Sequence, residues 1–140
     1  MAVEHQNLTA ARAFITRLTG YTNDDDGSSS GRWTPLALVG DRALALILAD
    51  DWYKSGRPLI VADTQYKSVG GNCALAAFGR RVGLAPHIFI HPGQRGQPVG
   101  WKIMATTVEA ILGAIWLDSD GDLGTLRAAI EHMDLRRSAN

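Results

Sequence analysis

Two acidic residues of this chain lie inside long apolar segments, where a charge is costly. Asp41 and its neighbour Arg42 are the only charges between Leu36 and Ala49, and Glu109 is the only acid in Ile103–Leu117. A carboxylate in such surroundings needs a cation or a hydrogen-bond donor as its partner. If both segments pack together, their carboxylates would supply ligands for a hard cation such as Mg²⁺. Alternatively, each acid pairs with an arginine or caps a neighbouring helix.

Arg42 follows Asp41 directly in the sequence. On a helix, consecutive side chains point about 100° apart. We therefore expect Arg42 to be a poor partner for Asp41. A cation from a distant segment, the N-terminus of another helix or a metal ion is the expected partner.

The segments that carry the two acids are predicted to be helices. Leu36–Trp52 is apolar on nearly every side, which indicates a central buried helix, and its length and richness in Ala and Leu favour a helix over an internal strand. In Ile103–Leu117 the apolar side chains recur at helical spacing. These residues are Met104, Val108, Ile111, Leu112 and Ile115.

The rest of the chain adds helices but no convincing strand. Four further helices are predicted at Leu8–Leu18, Leu59–Lys67, Cys73–Val82 and Leu123–Met133. Asn72 and Asp122 are predicted to cap the last two at their N-termini, and Gly83 to end the helix that begins at Cys73. The polar run 22–31 is predicted to be a mobile loop. The expected fold class is all-α, with about six helices in a single domain over residues 1–140.

Composition limits the function classes that need consideration. Fourteen basic and fourteen acidic residues cancel, so any contact with nucleic acid must come from a local patch. The lone Cys73 favours a reducing compartment, and no segment is apolar enough for a signal peptide or a membrane span. We expect a soluble intracellular protein, cytoplasmic or nuclear, that makes no contact with a membrane. A faintly basic, amphipathic N-terminus leaves a mitochondrial location open.

Three segments together resemble a known family. Leu36–Leu44 is similar to the signature of the ribonuclease III family, and Lys102–Ser119 to its second metal-binding helix almost throughout. Gly71–Leu75 resembles the asparagine-led element between them. The resemblance implies an all-helical, normally dimeric fold that hydrolyses double-stranded RNA with a divalent metal. It is greatest to small stand-alone members of fungal type, which lack a double-stranded-RNA-binding domain.

The resemblance also assigns site residues. It places Asp41 and Glu109 at two catalytic, metal-binding positions of the family. The glutamate expected one turn before Asp41 is replaced by Ala37, and the aspartate expected three residues before Glu109 is replaced by Thr106. Ala37 contributes no oxygen, and Thr106 offers only a neutral hydroxyl, a weaker metal ligand than a carboxylate. Mg²⁺ or Mn²⁺ should therefore bind weakly, and cleavage should be impaired.

Two further residues are candidates for contact with RNA. Lys102 resembles a lysine that precedes the second helix in eukaryotic members of the family and is suited to phosphate, and Asn72 leads the element between the two motifs. The resemblance predicts an endoribonuclease that acts as a homodimer on double-stranded or structured RNA. The alternatives are a module that binds RNA or a ribonucleoprotein without cutting, and dimerisation with an active relative.

Overall fold

In a computed structural model, the protein is described over residues 30–88, 93 and 96–133. These residues form five α-helices and one short 3₁₀ turn at Ala85–His87, and no strand occurs among them. The prediction of an all-α fold is therefore confirmed. The helices are α1 (Ser30–Ser55), α2 (Leu59–Gly70), α3 (Asn72–Arg81), α4 (Trp101–Asp118) and α5 (Leu123–His132).

The first helix begins earlier and ends later than the sequence predicts. It includes Pro35 and continues through Tyr53 to Ser55. Two residues of the predicted loop 22–31, at its C-terminal end, therefore belong to α1. The rest of that loop and the predicted helix Leu8–Leu18 lie outside the described residues.

The hydrophobic core lies where α4 packs against α1 on one side and α3 on the other. Leu44 of α1, Leu75 of α3 and Leu112 of α4 are all fully buried, and α5 adds Leu126. All five helices contribute buried apolar residues to one contiguous core, although α2 adds only Val69. The apolar spacing in Ile103–Leu117 correctly predicted the buried face of α4, apart from Ile111 and Ile115, which are only partly buried.

Two glycines allow α1 and α4 to come into backbone contact. A Cβ atom added at Gly40 would lie 1.8 Å from the carbonyl oxygen of Glu109, and one added at Gly113 would lie 2.1 Å from the carbonyl oxygen of Leu36. Real side chains do not tolerate either distance. The two helices therefore cross without any side chain between them at this point, and the crossing depends on glycine at both positions.

The start of α5 and the end of α3 follow the predictions. The carboxylate of Asp122 accepts hydrogen bonds from the backbone N–H groups of Gly124 and Thr125, both at 3.2 Å. This is the predicted N-cap. Gly83 has φ 75°, and the N–H of Leu84 donates to a carbonyl of the last turn of α3 at 2.9 Å. Gly83 therefore ends α3 as predicted.

The predicted cap at the start of α3 is wrong. Asn72 is itself the first helical residue, and the extended Gly71 before it occupies the N-cap position without a side-chain hydrogen bond. A side chain caps a helix only from the residue whose backbone has not yet entered it. Asn72 lies one position too late, and its side chain is exposed.

Arg127 fastens α5 to the end of α1. Its guanidinium donates to the carboxylates of Asp51 and Asp50, the latter at 3.1 Å. The Arg127 side chain is 31% exposed, so the charges are partly removed from water. Sequence patterning did not predict this contact, because Arg127 is 76 residues from Asp51 and 77 residues from Asp50.

We expect Arg127→Met to lower the free energy of unfolding by about 1 to 2 kcal/mol, since it removes the shared partner of Asp51 and Asp50, although Asp50 keeps its bond to Lys54. The measurement is urea unfolding followed by circular dichroism. Lys67→Met is the control, because Lys67 and Asp63 form an exposed pair on α2 that should contribute less than about 0.5 kcal/mol. Equal losses in both variants would contradict the stabilising role of Arg127.

None of the helices in the described residues is long and apolar enough to cross a lipid bilayer.

Candidate metal centre

The crossing of α1 and α4 brings the two predicted site acids together. Asp41 follows Gly40, and Gly40 lies against the backbone of Glu109 itself. Glu109 is half-buried; burial raises its pKa, the nearby Asp41 carboxylate raises it further, and Arg42 opposes the shift. Asp41 is thus close enough to influence the ionisation of Glu109. Asp41 and Glu109 therefore lie near each other at the helix crossing, and a shared role as site residues stays a prediction.

Both carboxylate oxygens of Asp41 have protein donors. The Tyr66 hydroxyl of α2 donates to Oδ1 at 2.5 Å, and the Arg42 guanidinium donates to Oδ2. The Asp41 side chain is 17% exposed, so these donors replace water that it has largely lost. Burial raises the pKa of Tyr66 to about 12, with the hydrogen bond to Asp41 adding to the effect. Tyr66 therefore stays protonated and remains a donor at neutral pH.

The expectation that Arg42 is a poor partner for Asp41 is wrong. Although consecutive side chains leave a helix in different directions, the long arginine stem bends back over the surface and reaches the carboxylate. Tyr66 was missed for another reason. It lies on another helix, 25 residues from Asp41, and no spacing rule links the two. The only signal was that a buried tyrosine hydroxyl usually has a partner.

The two positions that depart from the family pattern lie one turn before the acids. Ala37 precedes Asp41 on the same face of α1 and is 4% exposed. Thr106 precedes Glu109 on α4 and is partly buried. In the part of the chain that the structure describes, no three His, Cys, Asp or Glu side chains gather as a metal-binding group. Among the residues so described, Asp41 and Glu109 are therefore a pair rather than part of a larger acidic cluster.

Comparison with known proteins identifies the scaffold that carries this pair. The family model of the Ribonuclease III domain matches residues 34–120, more than half of the chain. The chain belongs to the ribonuclease III domain family. The match includes both acids and both glycines of the helix crossing. No solved structure matches the chain significantly.

Curated relatives agree with this assignment. The chain is 32% identical over 122 residues to a protein named Ribonuclease 3 from Vibrio vulnificus, which covers 76% of this chain and 53% of the relative. It is 29% identical over 131 residues to a Ribonuclease 3 from Idiomarina loihiensis, covering 83% of this chain and 56% of the relative. The chain spans about half the length of these curated relatives.

The two carboxylates of this ribonuclease III domain have the oxygen chemistry that suits a hard cation. Mg²⁺ commonly binds proteins through one or two carboxylates and keeps several water ligands. Glu109 and Asp41 supply such oxygens, provided that Arg42 releases Oδ2 of Asp41. The Arg42 side chain is 71% exposed and can move into solvent without disturbing the core. The residues present thus accommodate a cation, but with fewer anionic ligands than the family pattern contains.

The two RNA-contact candidates are both exposed. Lys102 lies in the first turn of α4, two turns before Glu109, and its ammonium is 5.5 Å from the centroid of the Trp101 ring. Trp101 is itself 43% exposed and was not singled out from the sequence. Asn72 begins α3. No hydrogen bond or ion pair among the described residues links Lys102 or Asn72 to the acidic pair.

Proposed function

We propose that this chain is a metal-dependent endoribonuclease of the ribonuclease III type that acts on double-stranded or structured RNA as a homodimer. The observation that carries the proposal is the glycine crossing of α1 and α4, which places Asp41 beside Glu109. The ribonuclease III family generally depends on divalent metal, and its members generally dimerise. We propose both properties for this chain because it belongs to the family.

The residue roles follow from the contacts of the site. Asp41 and Glu109 would hold Mg²⁺ or Mn²⁺, and a bound cation supplies Lewis-acid polarisation of the scissile phosphate and a more acidic water. Tyr66 orients Asp41 through its hydrogen bond to Oδ1. Thr106 adds at most a neutral oxygen, and Ala37 adds none. With few anionic ligands the cation binds weakly, and we infer that turnover is slow.

Contact with the RNA backbone is assigned to exposed cations and polar groups. Lys102 lies on the same face of α4 as Thr106 and Glu109, since residues four and seven apart are neighbours on a helix. A phosphate that approaches the acidic pair would therefore pass close to the lysine. Asn72 is proposed as a further RNA contact at the start of α3, and this role rests on the resemblance alone.

The second candidate is a module of the same fold that binds RNA or a ribonucleoprotein without cutting it. Two observations favour it. Ala37 is buried at a position where the family pattern has a metal ligand, and Asp41, the aspartate of the pair, is already bonded to Arg42. Under this proposal Lys102 still contacts the RNA backbone. The acidic pair then contributes to the packing of α1 and α4 and takes no part in hydrolysis.

Cleavage of duplex RNA with Mg²⁺ or Mn²⁺ separates the two functions. We expect slow cleavage by the parent chain and at least a tenfold loss on Asp41→Asn or Glu109→Gln, because each removes an anionic ligand. Asp63→Asn is the control, since Asp63 is an exposed acid of α2 outside the site. Cleavage that survives both site substitutions would contradict the enzyme proposal. Binding of the duplex without cleavage supports the module.

Several expectations from the sequence stay predictions. These are the single domain over residues 1–140, the likeness to fungal-type members and the cytoplasmic or nuclear location with its mitochondrial alternative. The curated relatives named above are bacterial. Dimerisation with an active relative is tested by the same cleavage assay, with that relative added.

A further inference from the structure

Arg42 places a positive charge at the acidic pair. Its guanidinium binds Oδ2 of Asp41, and its charge also acts on Glu109, whose pKa it lowers against the effects of burial and of Asp41. A single cation of the chain thus interacts with both acids of the site. A divalent metal at this site would need the same two carboxylates.

We propose that Arg42 is a built-in counter-ion of the Asp41–Glu109 pair, which competes with divalent metal and sets the metal affinity of the site. This inference rests on the proposed function, because it concerns the same pair of ligands. Competition arises in two ways. Arg42 occupies an oxygen that the metal needs, and a guanidinium left close by repels a dication.

Arg42 differs from an arginine that serves the fold. Arg127 has a side chain that is 31% exposed and joins two helices, whereas the Arg42 side chain is 71% exposed and bonds to the residue beside it in the sequence. The contact of Arg42 with Asp41 therefore does not connect distant parts of the chain. Tyr66 already holds the other oxygen of Asp41, so removing the guanidinium leaves that carboxylate anchored. Removing Arg42 should therefore change the charge at the acidic pair and leave the packing of the helices intact.

The test is Mn²⁺ binding to the folded chain, followed by electron paramagnetic resonance of the free ion. For Arg42→Gln we expect about tenfold tighter binding, because the net charge of the three groups changes from about one negative charge to about two. Arg42→Lys retains the positive charge that repels a dication, so its affinity should stay within about twofold of the parent. Adding Asp41→Asn to Arg42→Gln should abolish the gain, which locates it at this site.

The outcomes decide between the accounts. Unchanged or weaker Mn²⁺ binding by Arg42→Gln overturns the inference, as does equal tightening by Arg42→Lys or the absence of Mn²⁺ binding in all variants. Cleavage is measured separately on the same samples. Tighter Mn²⁺ binding without cleavage leaves the role of Arg42 standing and counts against the enzyme proposal. If Asp41→Asn abolishes cleavage but Arg42→Gln leaves the Mn²⁺ affinity unchanged, the enzyme proposal is supported and the role of Arg42 is overturned.

Discussion

Replacing Ala37 by Glu together with Thr106 by Asp is expected to raise cleavage of duplex RNA in Mg²⁺ by about a hundredfold, the usual order for regaining a few kcal/mol of transition-state stabilisation. Each new carboxylate would project from the turn before Asp41 or Glu109, on the same helical face. The metal would then have four acidic residues around it instead of two, and its water would become a better nucleophile. The measurement is the cleavage rate of a labelled duplex at several Mg²⁺ concentrations.

The same double variant should show a change in stability that depends on metal. Position 37 is 4% exposed, so a glutamate there is largely removed from water and costs free energy unless a cation compensates it. We expect a lower melting temperature than the parent in EDTA and a larger stabilisation by Mg²⁺. Ala77→Glu together with Thr64→Asp is the control, because both positions are exposed. A folded double variant with neither response would contradict the proposal that the missing carboxylates at positions 37 and 106 limit metal binding and cleavage.

Gly40→Ala is expected to lower the free energy of unfolding by about 3 kcal/mol or more, a large share of a typical domain's stability. The added methyl would lie 1.8 Å from the carbonyl oxygen of Glu109, and backbone cannot rotate away as a side chain can. The helices α1 and α4 must then separate, which opens the core along their length. Urea unfolding followed by circular dichroism measures the loss.

Gly124→Ala is the matched control for this substitution. Its Cβ would have Oδ1 of Asp122 as nearest neighbour, at 3.5 Å, an ordinary van der Waals distance. Alanine is also the better helix former, so stability should rise by about 0.5 to 1 kcal/mol. If both glycine variants behaved alike, the tight crossing of α1 and α4 would not hold in solution.

Sequence patterning predicted the helices well because their apolar side chains recur at helical spacing over many residues. Ile103–Leu117 is the clearest case, and α4 extends it by only a few residues. The proximity of Asp41 and Glu109 was also predicted, but the isolated acids alone left separate partners open, and the family resemblance supplied the prediction. What brings them together is the pair of glycines in α1 and α4, whose role is visible only when two backbones are placed side by side.

The partners of the site were harder to predict than its acids. Tyr66 reaches Asp41 from a different helix, and Arg42 reaches it by bending along the surface, so neither contact follows from periodicity. The N-caps of α3 and α5 were also hard to predict, because an error of one residue changes which side chain can cap the helix. Asp122 and Asn72 have similar preferences for the position before a helix, yet only Asp122 occupies it. Local backbone geometry at Gly71 decided the difference.

The backbone contact between α1 and α4 has a consequence for how this domain tolerates change. Because main-chain atoms and glycines set the spacing of α1 and α4, that spacing does not depend on a particular side chain at position 37 or 106. Alanine at position 37 fills its space as part of the core, and the scaffold stands. Substitutions at positions 37 and 106 can therefore change the oxygen atoms offered to a cation while the crossing of the two helices is retained.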